Sequence, residues 1–283
     1  MLGLIDFILN LAGVLLWVSW LSVRFDPLAR TTPATLVGTL RRAEPARLRR
    51  WYFLAGLAAL LVLRWLLYWQ IGPAVEWTPN LHLGGIDIVI PFRSDHKWPM
   101  LLFSMLSFGG TLGAFYLWLL LPSLVNNRTG DDNPMQRLLR LQLGRIDRWP
   151  WPVKAILPLV VTAVLWFLVS LVLVRVQLIP PPYSDIHRLE QAAVVGLGCY
   201  LLWKYLIGVL LALYLVSSYV YFGNQSFWNF VGLTGKNLLV PLRALPLRLG
   251  RVDFSPVIGV VLVFLAAYWA ERGLTALYKH LPL

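Results

Sequence analysis

Apolar residues along this chain fall into six long runs, separated by stretches in which arginine, proline and tryptophan recur. The runs cover approximately Leu2 to Leu21, Tyr52 to Trp69, Met100 to Leu121, Val153 to Val174, Ala192 to Tyr219 and Pro256 to Trp269, the last continuing toward Tyr278. Several reach the roughly 20 residues that a helix needs to cross about 30 Å of hydrocarbon. Trp17, Trp20, Trp51, Trp69, Trp98, Trp149, Trp151 and Trp269 sit at run ends. Rings with an apolar body and a polar edge favour that interfacial belt. The pattern predicts an all-α, polytopic membrane protein with about six transmembrane helices.

Composition strengthens this reading. The 283 residues are 58% hydrophobic and 13% charged, whereas soluble domains carry about 25% charged residues. The N-terminal run lacks the basic start and small-residue cleavage site of a signal peptide, so it is expected to remain as the first span.

Charge then sets the topology. Arg24, Arg30, Arg41, Arg42, Arg47, Arg49 and Arg50 lie between runs one and two, and Arg128, Arg137, Arg140, Arg145, Arg148 and Lys154 between three and four. Lys236, Arg243, Arg248 and Arg251 lie between five and six, while the other two loops hold few basic residues. The positive-inside rule therefore predicts three cytoplasmic basic loops, with both termini outside. The net charge of +12 is explained by topology and attraction to anionic lipid. Nucleic acid is the weaker expectation, because the arginines lack a recognised DNA-binding fold and lie beside lipid phosphate.

With that topology the chain divides into a first hairpin unit (1–70), an extracytoplasmic segment (71–99), a second unit (100–176) and a third (177–283). "LGRID" (143–147) and "LGRVD" (249–253) occupy matching places ahead of runs four and six. Gly144, Arg145 and Asp147 are thus repeat counterparts of Gly250, Arg251 and Asp253, and unit one shares only the basic-then-apolar form. Within 70–99, "IDIVIP" is either a short strand or a segment lying on the membrane.

The basic loops carry amphipathic patterns. In "PMQRLLRLQLGRIDRW", Met135, Leu138, Leu139 and Ile146 fall near one helical face, with Arg137, Arg140, Arg145 and Arg148 largely on the other. Such a helix would lie among headgroups, its arginines directed to phosphates or to a protein partner. The third loop is similar, broken into short pieces by Pro241 and Pro246. At "RVDFSP", Arg248 and Arg251 precede a helix start where Asp253 or Ser255 can cap the first turn and Pro256 is tolerated. Gly250 would permit the reversal into the span. A helix cap is preferred over a catalytic or ion-binding aspartate at Asp253.

The third unit resembles the YGGT family of small bacterial and plastid membrane proteins. The resemblance rests on Asn237, Leu239, Pro241, Leu242, Arg243, Pro246, Gly250, Asp253, Ser255 and Pro256, followed by an apolar span. It covers about residues 215–270, with a partial second match over 120–175 through Asn133, Pro134, Arg140, Gly144 and Asp147. What it implies is an integral protein of the bacterial inner membrane without established catalysis. Members are linked to division and nucleoid organisation, to plastid b-type cytochrome maturation and to osmotic tolerance.

Candidate chemistry is sparse. Cys199 is the single cysteine and lies in an apolar run, and His82, His96, His187 and His280 show no ligand spacing, so neither a cofactor nor a metal is expected. No nucleophile motif, phosphate loop or pair of intramembrane carboxylates occurs. The expectation is a non-enzymatic scaffold or assembly factor whose partners are anionic lipid and a membrane complex or cytoplasmic protein. The alternative is a channel, transporter or osmotic-response component using Arg64 and Lys204, since charges within spans are functional candidates. Arg64 is expected to snorkel outward. Lys204 is expected to pair with a carboxylate or carbonyl inside the bundle, with no Asp or Glu at matching depth to form a relay; Asp6 and Glu271 are placed near the outer surface.

Overall fold

A computed structural model of the chain describes residues 2–22, 50–73, 77–82, 85–94, 96–127, 134–220, 222–223, 225–244, 248–249 and 252–282. The basic stretch from Arg24 to Arg49, together with Arg128, Asn133, Pro246, Gly250 and Arg251, lies outside the described residues, as do the side chains of Arg243 and Arg248.

The elements in chain order are α1 (Leu2–Ser22), α2 (Arg50–Ile71), β1 (Asn80–His82), β2 (Val89–Pro91), α3 (Lys97–Val125), α4 (Pro134–Leu143) and α5 (Trp151–Arg175). They continue with α6 (Asp185–Gly198), α7 (Trp203–Tyr219), α8 (Ser226–Leu238), β3 (Arg248–Leu249), β4 (Val252–Asp253) and α9 (Ser255–His280). Among the described residues six helices are long and apolar enough to cross a membrane, α6 and α7 forming one of them over Asp185–Tyr219. The chain is an all-α, multi-pass membrane protein.

The fifth span begins at Asp185, ahead of the apolar run at Ala192. Its first two turns are polar, but Ser184 Oγ accepts from the His187 N–H at 3.1 Å, so a capped start extends the helix beyond its hydrophobic part.

The chain forms two compact units, one of Met1–Pro79 with Arg93–Leu112, the other of Asn80–Phe92 with Gly113–Leu283. The boundary falls inside α3. In the first unit α1 packs along α2, and Tyr68, Trp77 and Phe103 meet with ring centroids 5.0 to 5.9 Å apart.

In the second unit α5 packs on α6, and α7 packs on both α8 and α9. A 3₁₀ turn over Cys199–Leu202 separates α6 from α7. The Trp118 indole donates to the Leu202 carbonyl there, while Trp203 donates back to the Leu117 carbonyl, at 3.1 and 2.9 Å. The turn is thereby tied to α3 in both directions.

The segment around "IDIVIP" forms a hairpin, with Leu81 opposite Ile90 in antiparallel register. Ile86, Ile90 and Phe92 are buried. The hairpin approaches the start of the 3₁₀ turn so closely that a Cβ at Gly198 would overlap Ile86, and one at Gly85 would overlap Leu201.

Candidate functional site

Three polar assemblies stand out, each within one unit. In the first unit Arg64 is fully buried, and its guanidinium is bonded on three sides. Nη2 meets Asp6 Oδ1 at 2.7 Å, Nη1 donates to Asn10 Oδ1 at 2.7 Å, and Nε donates to the Tyr68 hydroxyl at 3.2 Å. Asp6 also accepts from Tyr68 Oη at 2.7 Å and from Asn10 Nδ2 and Ser107 Oγ, both at 3.1 Å. Residues from α1, α2 and α3 thus close a network around one ion pair.

This corrects two expectations from the sequence. Arg64 does not snorkel, and a carboxylate lies within its reach. Asp6 is about 6 Å along the axis from the start of α1, and Arg64 about 10 Å from the end of α2. A long arginine stem spans the difference, and pairing in the low-dielectric interior replaces escape to water.

The second assembly joins α7 to α9. Lys204 Nζ lies 2.8 Å from Glu271 Oε2. Lys204 is about 22 Å from the end of α7, and Glu271 about 24 Å from the start of α9, so the two groups share a level. The expectation that no carboxylate matches Lys204 in depth is therefore overturned as well. The error arose because the last run was ended near Trp269, which put Glu271 at the outer surface, whereas α9 continues to His280.

The third assembly gathers where α3 ends and α5 begins. Lys154 is 1% exposed; its Nζ bonds Ser123 Oγ at 3.2 Å and Asn127 Oδ1 at 3.1 Å, and lies 4.0 Å from Asp147 Oδ1. Asp147 Oδ1 accepts from the Ser123 hydroxyl, and Oδ2 pairs with Arg140 Nε at 2.9 Å. Beside it, Asn126 Nδ2 donates to Thr234 Oγ1 at 2.8 Å, and Asn237 Nδ2 donates to Asn126 Oδ1 at 2.9 Å, tying α8 to the end of α3.

Asp147 makes no cap to α5, which starts after extended Pro150 without a side-chain bond to its first turn. Its repeat counterpart behaves differently. Asp253 Oδ1 accepts from the Ser255 N–H at 3.0 Å, and Ser255 and buried Pro256 open α9. Gly144, with φ +59°, ends α4 in the left-handed region that glycine tolerates. The chain then passes through a 3₁₀ turn over Gly144–Arg148 that carries Asp147 back to the end of α3.

These contacts fix α4 in place. Leu143 packs with Leu120 and Leu124 of α3, and Gln136 is buried on the same side. Arg137, Arg145 and Arg148 are exposed, and Arg140 remains partly exposed despite its ion pair. Leu138 is 55% exposed, next to exposed Leu141. The helix buries Gln136 and Leu143 toward the spans, so the leucines at its opposite side point outward beside arginines. Exposed Trp149 and Trp151 continue this mixed surface. In the third unit Pro241 is exposed within a 3₁₀ turn over Val240–Ala244.

No family model, curated protein or solved structure matches the chain.

Among the described residues no group of three or more His, Cys, Asp and Glu is placed to hold a metal ion. Arg64, Lys204 and Lys154 are each engaged by protein oxygens. The assemblies are suited to holding helices together, and the outward basic face of α4 to meeting an external anion. Sequence reading missed Asp6, Asn10, Ser107, Ser123, Asn127 and Thr234 as network members. Their only local signal is a small polar side chain inside or at the end of an apolar run.

Proposed function

We propose that the chain is a non-enzymatic scaffold or assembly factor of the YGGT type in a bacterial inner membrane, with both termini outside. Its basic amphipathic segments hold anionic lipid and present a partner-binding surface on the cytoplasmic side. The observation that carries this reading is the outward face of α4 and the turn after it, where Arg137, Leu138, Leu141 and Arg148 are all exposed. Leucines inserted below the headgroups and arginines at phosphate level match the two layers of an interface. Asp147 holds that helix to the spans through Arg140 and Ser123, so the face is presented in a fixed pose.

The test is partner recovery from native membranes in mild detergent. Charge reversal at Arg137 and Arg148, and separately at Arg243, Arg248 and Arg251, should release the recovered complex while the protein stays in the membrane. Unchanged partners in both variants would overturn the reading.

A channel or transporter built on Arg64 and Lys204 is less well supported. Both cations are already paired with carboxylates, at 2.7 and 2.8 Å. If Lys204→Ala abolished solute flux in proteoliposomes while leaving the fold intact, the transport reading would replace the scaffold.

A further inference from the structure

The connection from α5 to α6 carries the sequence "LIPPPYSD" (178–185). A proline ring holds its own φ near about −65° and keeps the residue before it out of the helical region. Ile179, Pro180, Pro181 and Pro182 are therefore restricted covalently to the extended polyproline II form, and they belong to neither helix nor strand.

Both ends of this segment are pinned. After α5, Gln177 takes a left-handed φ of 59°, and the N–H groups of Gln177 and Leu178 return to the Val174 and Leu173 carbonyls at 3.0 and 2.9 Å. That pair of bonds is a Schellman motif. Before α6, the Tyr183 N–H donates to His187 Nδ1 at 3.3 Å, the two rings stack with centroids 5.7 Å apart, and Ser184 caps the first turn.

The pinned segment is turned outward. Pro180 and Pro181 are exposed and Tyr183 is 87% exposed, while Ile186 and Leu189 carry the apolar surface along α6 at 69% and 58%. Among the described residues no backbone N–H is bonded to the carbonyls of Pro180, Pro181 or Pro182. Open acceptors are too costly in hydrocarbon, and the Asp185 side chain between Tyr183 and Ile186 is 89% exposed. This surface therefore faces water or headgroups, at the opposite end of α5 from α4.

We propose that residues 180–183 are a docking peptide for a partner protein whose groove is lined by aromatic rings. Proline rings pack between such side chains, and the carbonyls of Pro180 and Pro181 accept from indole or hydroxyl donors there. Tyr183 fills a pocket beside the groove, with Ile186 and Leu189 as its apolar shoulder. Because both ends are already fixed, docking loses little conformational entropy. A lipid interface also takes up a tyrosine ring, but it does not depend on successive prolines. The site goes beyond the α4 reading, since it recruits a second partner at the other end of α5.

The experiment places p-benzoylphenylalanine at Ile186 of the full chain in native membranes, with photo-adducts resolved by mass spectrometry. A synthetic peptide of residues 178–185 is the competitor, and the same peptide with Pro181→Ala and Tyr183→Ala is its control. The chain should give a protein adduct whose cross-linked peptide contains Trp or Tyr. The competitor, but not its control, should lower the yield about tenfold. Pro181→Ala and Tyr183→Ala in the full chain should each lower it similarly, with helicity and thermal midpoint retained.

Adducts with phospholipid would assign the segment to the membrane interface and overturn the proposal. Adducts with a second copy of the chain would do the same, as would a protein adduct that the competitor and both variants leave unchanged. No adduct at Ile186, and none with the label moved to Leu189, would likewise overturn it.

Discussion

Arg64 Nη2 and Asp6 Oδ1 lie 2.7 Å apart, with the arginine fully buried and the aspartate 20% exposed. Asn10, Tyr68 and Ser107 satisfy the remaining sites around the pair. Burying two charges is costly, but once paired and bonded they are far costlier to separate. Asp6→Asn keeps the shape and leaves a buried cation unpaired, so we expect a loss of about 3–5 kcal/mol. Arg64→Met combined with Asp6→Asn carries no charge and should recover most of that loss. Reversible unfolding in mixed micelles measures both; equal losses in the single and double variants would contradict a pairing role.

Lys204 and Glu271 form a more open pair, with side chains 14% and 32% exposed. Interhelical polar contacts in membranes contribute about 0.6 kcal/mol on average, with a maximum near 1.7. Lys204→Met should therefore cost about 1 kcal/mol, well below the Asp6→Asn effect. The same unfolding assay checks the order, and a larger loss at Lys204 would show that its partners extend beyond Glu271.

The aspartates of "LGRID" and "LGRVD" should respond differently to removal of charge. Asp147 compensates Arg140 and stands near buried Lys154, whereas Asp253 bonds the first-turn N–H of Ser255. An asparagine Oδ1 can accept the same N–H, so Asp253→Asn should change stability by less than about 0.5 kcal/mol. Asp147→Asn leaves Lys154 without its nearby carboxylate and should cost about 2 kcal/mol or more. Thermal unfolding of the two variants in one detergent makes the comparison.

How far the sequence carries can be judged from these residues. Apolar length and tryptophan position revealed the six spans, because a span is a local property of about 20 residues. The polar start at Asp185 escaped, since hydropathy is low there and only the Ser184 cap reveals it. Charge at Arg64 and Lys204 was visible, but their partners lie 58 and 67 residues away. Asp147 and Asp253 look alike in "LGRID" and "LGRVD", yet only the turn at Gly144 and the reach of Ser123 make Asp147 a hub.

The proposed orientation, with the basic loops on the cytoplasmic side, is open to direct labelling. In a Cys199→Ser background, Tyr183→Cys should react with a membrane-impermeant maleimide in intact cells, since Tyr183 is 87% exposed. Leu138→Cys should react only after permeabilisation. The reverse pattern would invert the topology and remove the cytoplasmic partner surface.

The central claim is that the outward face of α4 holds anionic lipid at the membrane surface. The most direct measurement is the lipid composition of polymer nanodiscs cut from native membranes around the wild-type chain and around Arg137→Glu/Arg148→Glu. The account predicts anionic phospholipid enriched over bulk membrane in the wild-type discs and that enrichment reduced in the variant, with the protein equally folded. Identical lipid composition in the two sets of discs would contradict it.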